Sequence, residues 1–165
     1  MSGPALTVAA VRDALDDVSD PEIPAISIVD LGLVHEVAVD GGRIRVELLP
    51  TFVGCPALDA IRDAVRERLA GLAPDHEADV AFSYAEPWTS DRITPAGREA
   101  LRASGLGPPT PAPAVGALLA LDVPVACPYC GSRRTVLENA FGPTACRSIR
   151  YCTACRQPFE QFKPV

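Results

Sequence analysis

Two cysteine pairs near the C-terminus carry the clearest chemistry in the sequence. CPYC, with Cys127 and Cys130, and CTAC, with Cys152 and Cys155, are separated by 21 residues. Two thiolates on one CxxC turn can reach a single ion, and a hairpin between the pairs would bring four sulfurs into a tetrahedron about 2.3 Å from Zn2+. The separation is one residue beyond the usual zinc-ribbon range, which a hairpin tip absorbs. Zinc is the default ion, although four thiolates also suit a mononuclear iron or an iron-sulfur cluster. Four protein ligands leave no open position for water or substrate. The site is therefore read as structural, with metal binding supplying the folding free energy of a module too small for a self-sufficient core.

The other two cysteines stand alone. Cys146, in FGPTACRS, reads as a buried small hydrophobe or as an alternative ligand. Cys55, in TFVGCP, lies where a strand run gives way to a helix run. With Pro56 at the first helical position, Cys55 is expected as the helix N-cap, where unpaired N–H groups favour a thiolate or an open metal ligand. It could equally be a small residue closing the strand-helix corner. Asp20 and Glu22, in DPEIP, place two carboxylates on a loop constrained by prolines, to serve either a site or the cap of a turn. His35 and His76 have no evident partner, and Trp88 reads as a packing anchor or part of a contact surface.

Recurring patterns indicate the elements that must position these groups. Thr7 caps a helix carrying Val8, Val11, Leu15 and Val18, ending near Ser19. HEVAV, a turn at Asp40-Gly41-Gly42 and RIRVEL form a hairpin with one buried face. Leu58, Ile61, Val65, Leu69 and Leu72 stripe a second helix, to about Gly71; DVAFSY is a third strand; TPAGREALRASG is a third helix with Thr94 as its cap. The expected fold is α+β: a small helix-on-sheet domain over 1–106, a proline-rich linker over 107–120 and a four-cysteine β module over 121–165.

Composition limits what the chain can do. At 165 residues and 48% hydrophobic, it can bury one ordinary core and carry a small appended module. The longest apolar run, Val115 to Leu121, is far short of the roughly 20 residues of a membrane span. Acidic residues follow the N-terminus too soon for an export signal, so a soluble cytoplasmic protein with reduced thiols is expected. Residues 1–120 carry 9 Arg against 18 acids and residues 121–165 carry 6 cations against 3, an acidic body and a basic tail. The chain as a whole is acidic and the tail lacks a dense cationic face, which argues against nucleic acid. No nucleophile-base pair and no carboxylate-rich di-iron set is visible, so a hydrolase or oxygenase active site is not expected.

The stretch DPEIPAISIVDLGLV, followed by TFVGCP and a helix, resembles the family of small metal-sulfur cluster assembly proteins that includes SufT, over residues 7–105. CPYCGS with FGPTACRSIRYCTACRQPFEQFK resembles the tail of the PaaD family, accessory proteins of the bacterial phenylacetyl-CoA epoxidase system. The resemblance implies a cytoplasmic, non-enzymatic assembly or maturation factor that supplies iron-sulfur or iron centres. By likeness Cys55 would be the transient cluster or metal ligand, with Asp20, Glu22 and Thr51 beside it. One cysteine cannot hold a cluster alone, so a partner's thiol, a bridging homodimer or the two acids would complete the coordination. The implied partners are the epoxidase reductase, with its ferredoxin-like cluster, and the di-iron oxygenase component. Two alternatives remain: a non-catalytic structural or regulatory subunit of the epoxidase, and a redox carrier with iron in the four-cysteine site.

Overall fold

A computed structural model describes residues 5–110 and 123–164. Contacts divide the chain into two compact units, Met1–Pro87 and Trp88–Val165.

In the first unit, α1 (Val8–Leu15) begins where Thr7 Oγ1 accepts the N–H of Ala10 at 3.1 Å, and it buries Val11, Ala14 and Leu15. It stops earlier than the expected Ser19, because Asp16 to Val18 close as turns onto its last carbonyls. The DPEIP segment becomes a small antiparallel hairpin, β1 (Ser19–Asp20) and β2 (Ile23–Ser27). Its two prolines lie in the turn and at an exposed strand position, the places where a missing N–H does least harm. The expected hairpin is present as β3 (Val34–Asp40) and β4 (Arg43–Leu48), turning at Gly41-Gly42. After β4 the chain runs through α2 (Leu58–Leu72) to β5 (Glu77–Phe82), which lies parallel to β4 with Val46 opposite Val80. A helix is the usual way to join parallel neighbours. Ile44, Val46, Leu48 and Val80 of the sheet and Ile61, Val65 and Leu69 of α2 are buried, so the alternation and the helical stripe face one core.

The second unit begins with Trp88. A 3-10 turn (Ser90–Arg92) leads to α3 (Pro95–Ala103), where Thr94 Oγ1 accepts the N–H of Gly97 at 2.9 Å and proline occupies the first turn. The four-stranded sheet runs β6 (Leu106–Gly107), β9 (Gln157–Phe162), β8 (Arg147–Cys152), β7 (Thr135–Asn139); β6 is parallel to β9 and the other pairs are antiparallel. Trp88 is buried edge-on to Phe162, with ring centroids 5.8 Å apart. Arg98 ties α3 down by donating to the carbonyls of Ser90 (2.6 Å) and Pro109 (2.7 Å).

The compact units thus meet at residues 87 and 88, whereas proline content places the boundary at 106. Residues 88–110 join the ribbon strands because Trp88 finds its aromatic partner on β9 and Leu106-Gly107 finds its hydrogen-bond partners there. Of the expected linker, 107–110 are described and 111–120 lie outside the described residues, as do 121, 122 and 165 of the expected β module.

Candidate functional site

Cys127, Cys130, Cys152 and Cys155 converge at the end of β8. Their Sγ atoms all lie within 4.8 Å of one another, and among the described residues no other group of three or more His, Cys, Asp or Glu side chains is so gathered. The Sγ separations are 3.7 Å for Cys127 to Cys155 and 3.6 Å for Cys130 to Cys152. A tetrahedron with metal-sulfur bonds of about 2.3 Å has edges of about 3.8 Å, so the four thiols are spaced as ligands of one ion. None of the six cysteines forms a disulfide.

Local backbone geometry builds this spacing twice. The N–H of Gly131 donates to the carbonyl of Cys127 at 2.9 Å, and the N–H of Arg156 donates to the carbonyl of Cys152 at 2.8 Å. Both residues have left-handed backbone, with φ of 72° and 60°. Each CxxC segment is therefore a tight loop that aims two sulfurs the same way. β7 and β8 form the hairpin between the loops, with Thr135 opposite Cys152 and a bulge between Leu137 and Asn139 that takes up the long spacing. Cys127, Cys152 and Phe159 pack as a small core with Cys155 against it.

The ordered amides also bias the thiols. The backbone N–H of Cys155, assisted by that of Ala154, points to the Cys152 sulfur and holds its pKa down to about 7. Burial, with the neighbouring thiols, pushes Cys155 up to about 12. Cys152 thus ionises before Cys155, and a cation at the centre of the four sulfurs would favour the thiolate form of its ligands. Cys146 is buried outside the set, its Sγ 3.1 Å from Thr144 Oγ1.

Cys55 is half-buried on the loop after β4 and is not the helix N-cap that the sequence suggested. That position falls to Ala57, which makes no side-chain cap. Gly54, at φ +82°, turns the chain so that the Cys55 N–H donates to the Phe52 carbonyl at 3.3 Å. Pro56 then opens a second turn, closed from Leu58 N–H to Cys55 carbonyl at 3.4 Å, before the helix starts. A proline preset for the helical φ is equally preset for this turn, which is why the sequence did not separate the two. Val53 is 85% exposed and Gly54 has open space around it, so the loop is accessible beside the thiol.

Asp20 is buried, and its Oδ1 accepts the N–H groups of Glu22 (2.8 Å) and Ile23 (3.2 Å), which closes the β1-β2 turn. Glu22 and Thr51 are half-buried. Cys55, Asp20 and Glu22 do not form a closed ligand set. One pairing was missed in the sequence: His35 Nδ1 lies 3.3 Å from Glu86. These residues are far apart in the chain and no local pattern links them.

Comparison with known proteins gives two family matches. Residues 8–80 match the family described as iron-sulfur cluster assembly protein, and residues 111–163 match the PaaD zinc beta ribbon domain. An Escherichia coli (strain K12) protein, named as one of the subunits of a "Putative 1,2-phenylacetyl-CoA epoxidase", is 38% identical over 155 residues, covering 92% of this chain and 89% of that protein. The Bacillus subtilis (strain 168) Fe-S protein maturation auxiliary factor YitW is 35% identical over 85 residues, covering 51% of this chain and 82% of that protein. A crystal structure of a domain of unknown function (DUF59) from Bacillus anthracis aligns with a TM-score of 0.53 and 29% identity, over 57% of this chain and 90% of that one. No helix among the described residues is long and apolar enough to cross a membrane.

Proposed function

Because the chain belongs to the iron-sulfur cluster assembly proteins that carry a C-terminal PaaD zinc ribbon, we propose that it is a non-catalytic maturation factor for the iron centres of a phenylacetyl-CoA epoxidase. The observation that carries this reading is the coexistence of two unlike cysteine settings in one chain. Four sulfurs are spaced for a closed tetrahedral centre, which has no position left for a passing ligand. Cys55 lies outside that centre on an accessible loop, within the segment that matches the assembly family.

In this reading Cys127, Cys130, Cys152 and Cys155 hold Zn2+ as a structural ion. The Cys55 thiolate supplies one ligand to a passing iron-sulfur cluster or iron ion, which is cargo and not a resident cofactor. Asp20, Glu22 and Thr51 belong to the same site. A thiol of the client or of a second copy of the chain completes the coordination, since one sulfur does not hold a cluster. The clients are the epoxidase reductase, first, and its oxygenase component, second.

The test is the iron and acid-labile sulfide content of reductase and oxygenase purified from cells with the wild-type chain, without it, and with Cys55→Ser. Loss of metal from one client in both altered strains, with the variant folded and its zinc retained, supports the reading and identifies the client. Fully loaded clients in all three strains would sink it and favour a structural or regulatory role within the epoxidase. A Cys55→Ser chain that unfolds would make the residue structural.

A further inference from the structure

The metal-loop end of the second unit gathers cations without carboxylate partners. In the first unit five of six arginines form ion pairs, with Glu77, Asp79, Asp59, Asp63 and Asp17. Arg133, Arg134 and Arg156 are exposed, and none is in an ion pair with a described residue. Backbone bonds place them beside the two CxxC loops of the second unit. Arg156 directly follows Cys155, and the Arg134 carbonyl accepts from both the N–H (2.9 Å) and the Oγ1 (3.0 Å) of Thr153, the residue after Cys152. Arg133 follows Ser132, whose carbonyl accepts the Cys127 N–H at 2.9 Å. Tyr129, between Cys127 and Cys130, is 58% exposed. The segments 123–137 and 151–159 that build this end contain no Asp, Glu or Lys.

We propose that this face, formed by Tyr129, Arg133, Arg134 and Arg156, docks a folded protein that presents clustered carboxylates. Tyrosine and arginine are the types enriched in buried interface centres, while lysine and glutamate are depleted there. Guanidinium forks pair with carboxylates through two parallel hydrogen bonds, which fixes orientation as well as attraction. The conformation of Arg156 adds an independent argument. Its backbone holds a left-handed φ of 60° at the position where the twin loop has Gly131. A bulky side chain at a backbone position that favours glycine points to a use for that side chain. A protein partner fits better than nucleic acid, because the chain carries a net charge of -6 and the segments 123–137 and 151–159 supply only three arginines and no lysine, too few cations to follow a phosphate backbone but enough to meet a local acidic patch.

The proposal deepens the maturation reading, and rests on it for the choice of probes: purified epoxidase reductase and oxygenase components, each immobilised. The full chain and the triple variant Arg133→Gln, Arg134→Gln, Arg156→Gly are titrated over each at low and high salt, with zinc content and thermal unfolding checking the fold. The expected result is salt-sensitive binding to one component that weakens about tenfold or more in the triple variant, its zinc unchanged. Equal binding by the variant, or no binding of the wild type to either component, overturns the proposal. Self-association in sedimentation that the variant abolishes overturns it too, in favour of a second copy as occupant. Because the readout is binding and not iron content, a client that binds but loads without this chain would defeat the maturation reading and leave the docking face standing.

Discussion

Gly131 and Arg156 occupy equivalent positions in two copies of one loop. Each follows the second cysteine of a CxxC pair, each has a left-handed φ, and each donates its N–H to the carbonyl of the first cysteine of its own pair. A Cβ at Gly131 would meet nothing within 4 Å, so only the backbone resists a side chain there. Gly131→Ala should lower the stability of the metal-bound second unit by about 1 kcal/mol. Arg156→Gly should do the opposite, raising it by about 0.5 kcal/mol. Urea unfolding of the zinc-loaded protein, followed by tyrosine fluorescence, measures both.

Metal removal should separate the two units. Cys127, Cys152 and Phe159, with Cys155 against them, pack together at the loop end of β8 and β9, so the order of the ribbon strands there depends on the ion. With a chelator, hydrogen exchange should speed up throughout Thr135–Phe162 and remain slow in β4. The pH dependence follows from the thiols. The Cys152 pKa, lowered to about 7 from 9, means that between pH 7 and 9 the unfolded chain binds more protons, so the metal-free unit gains stability over that range. The Cys155 pKa, raised to about 12, reverses the sign between pH 9 and 12, where the folded state holds the extra proton. The metal-free second unit should be most stable near pH 9. Metal loading, which needs thiolates, should fall as pH drops below about 7.

What the sequence made legible was local. Thr7 and Thr94 announced their helices because a cap bonds only three residues ahead. The β3-β4 hairpin was legible because its turn residues and its alternation lie in one continuous stretch. The four cysteines were legible as a set because CxxC spacing implies the loop that orients them. Three features escaped. The join at Cys55 depends on whether Pro56 opens a helix or a turn, and its fixed φ serves both. The pairing of Leu106 with Glu160 joins residues far apart in the chain, and no local pattern announces it. Asp20 looked available as a ligand, yet one of its oxygens is committed to two backbone N–H groups.

That commitment allows the structural and chemical roles of Asp20 to be separated. Asp20→Asn keeps an oxygen that accepts from Glu22 and Ile23, so its stability should stay within about 0.5 kcal/mol of wild type. Asp20→Ala removes the acceptor and leaves part-buried donors unmet, which costs about 1–2 kcal/mol. Denaturant midpoints of the two variants check this ordering. If the carboxylate charge serves cargo, client iron should fall in the Asn variant despite its native stability. Wild-type iron in that variant would assign Asp20 to the turn alone.

Trp88 tests where the second unit begins. Its ring is 2% exposed and meets Phe162 edge-on at 5.8 Å, although it precedes the matched ribbon segment by more than twenty residues. Large-to-small replacement of a buried aromatic costs about 3–5 kcal/mol, so Trp88→Ala should destabilise the ribbon strands strongly even with metal bound. A fragment of residues 121–165 lacks Trp88, α3 and the β6 partner of β9. Zinc-loaded, it should give poorly dispersed amide spectra, whereas residues 88–165 should give one set of dispersed signals. Equal dispersion from both fragments would make the four-cysteine centre sufficient and reduce Trp88 to a local contact. Loss in the short fragment alone would mean that the ion and the aromatic pair are jointly required, the ion fixing the loops at one end of β8 and Trp88 anchoring β9.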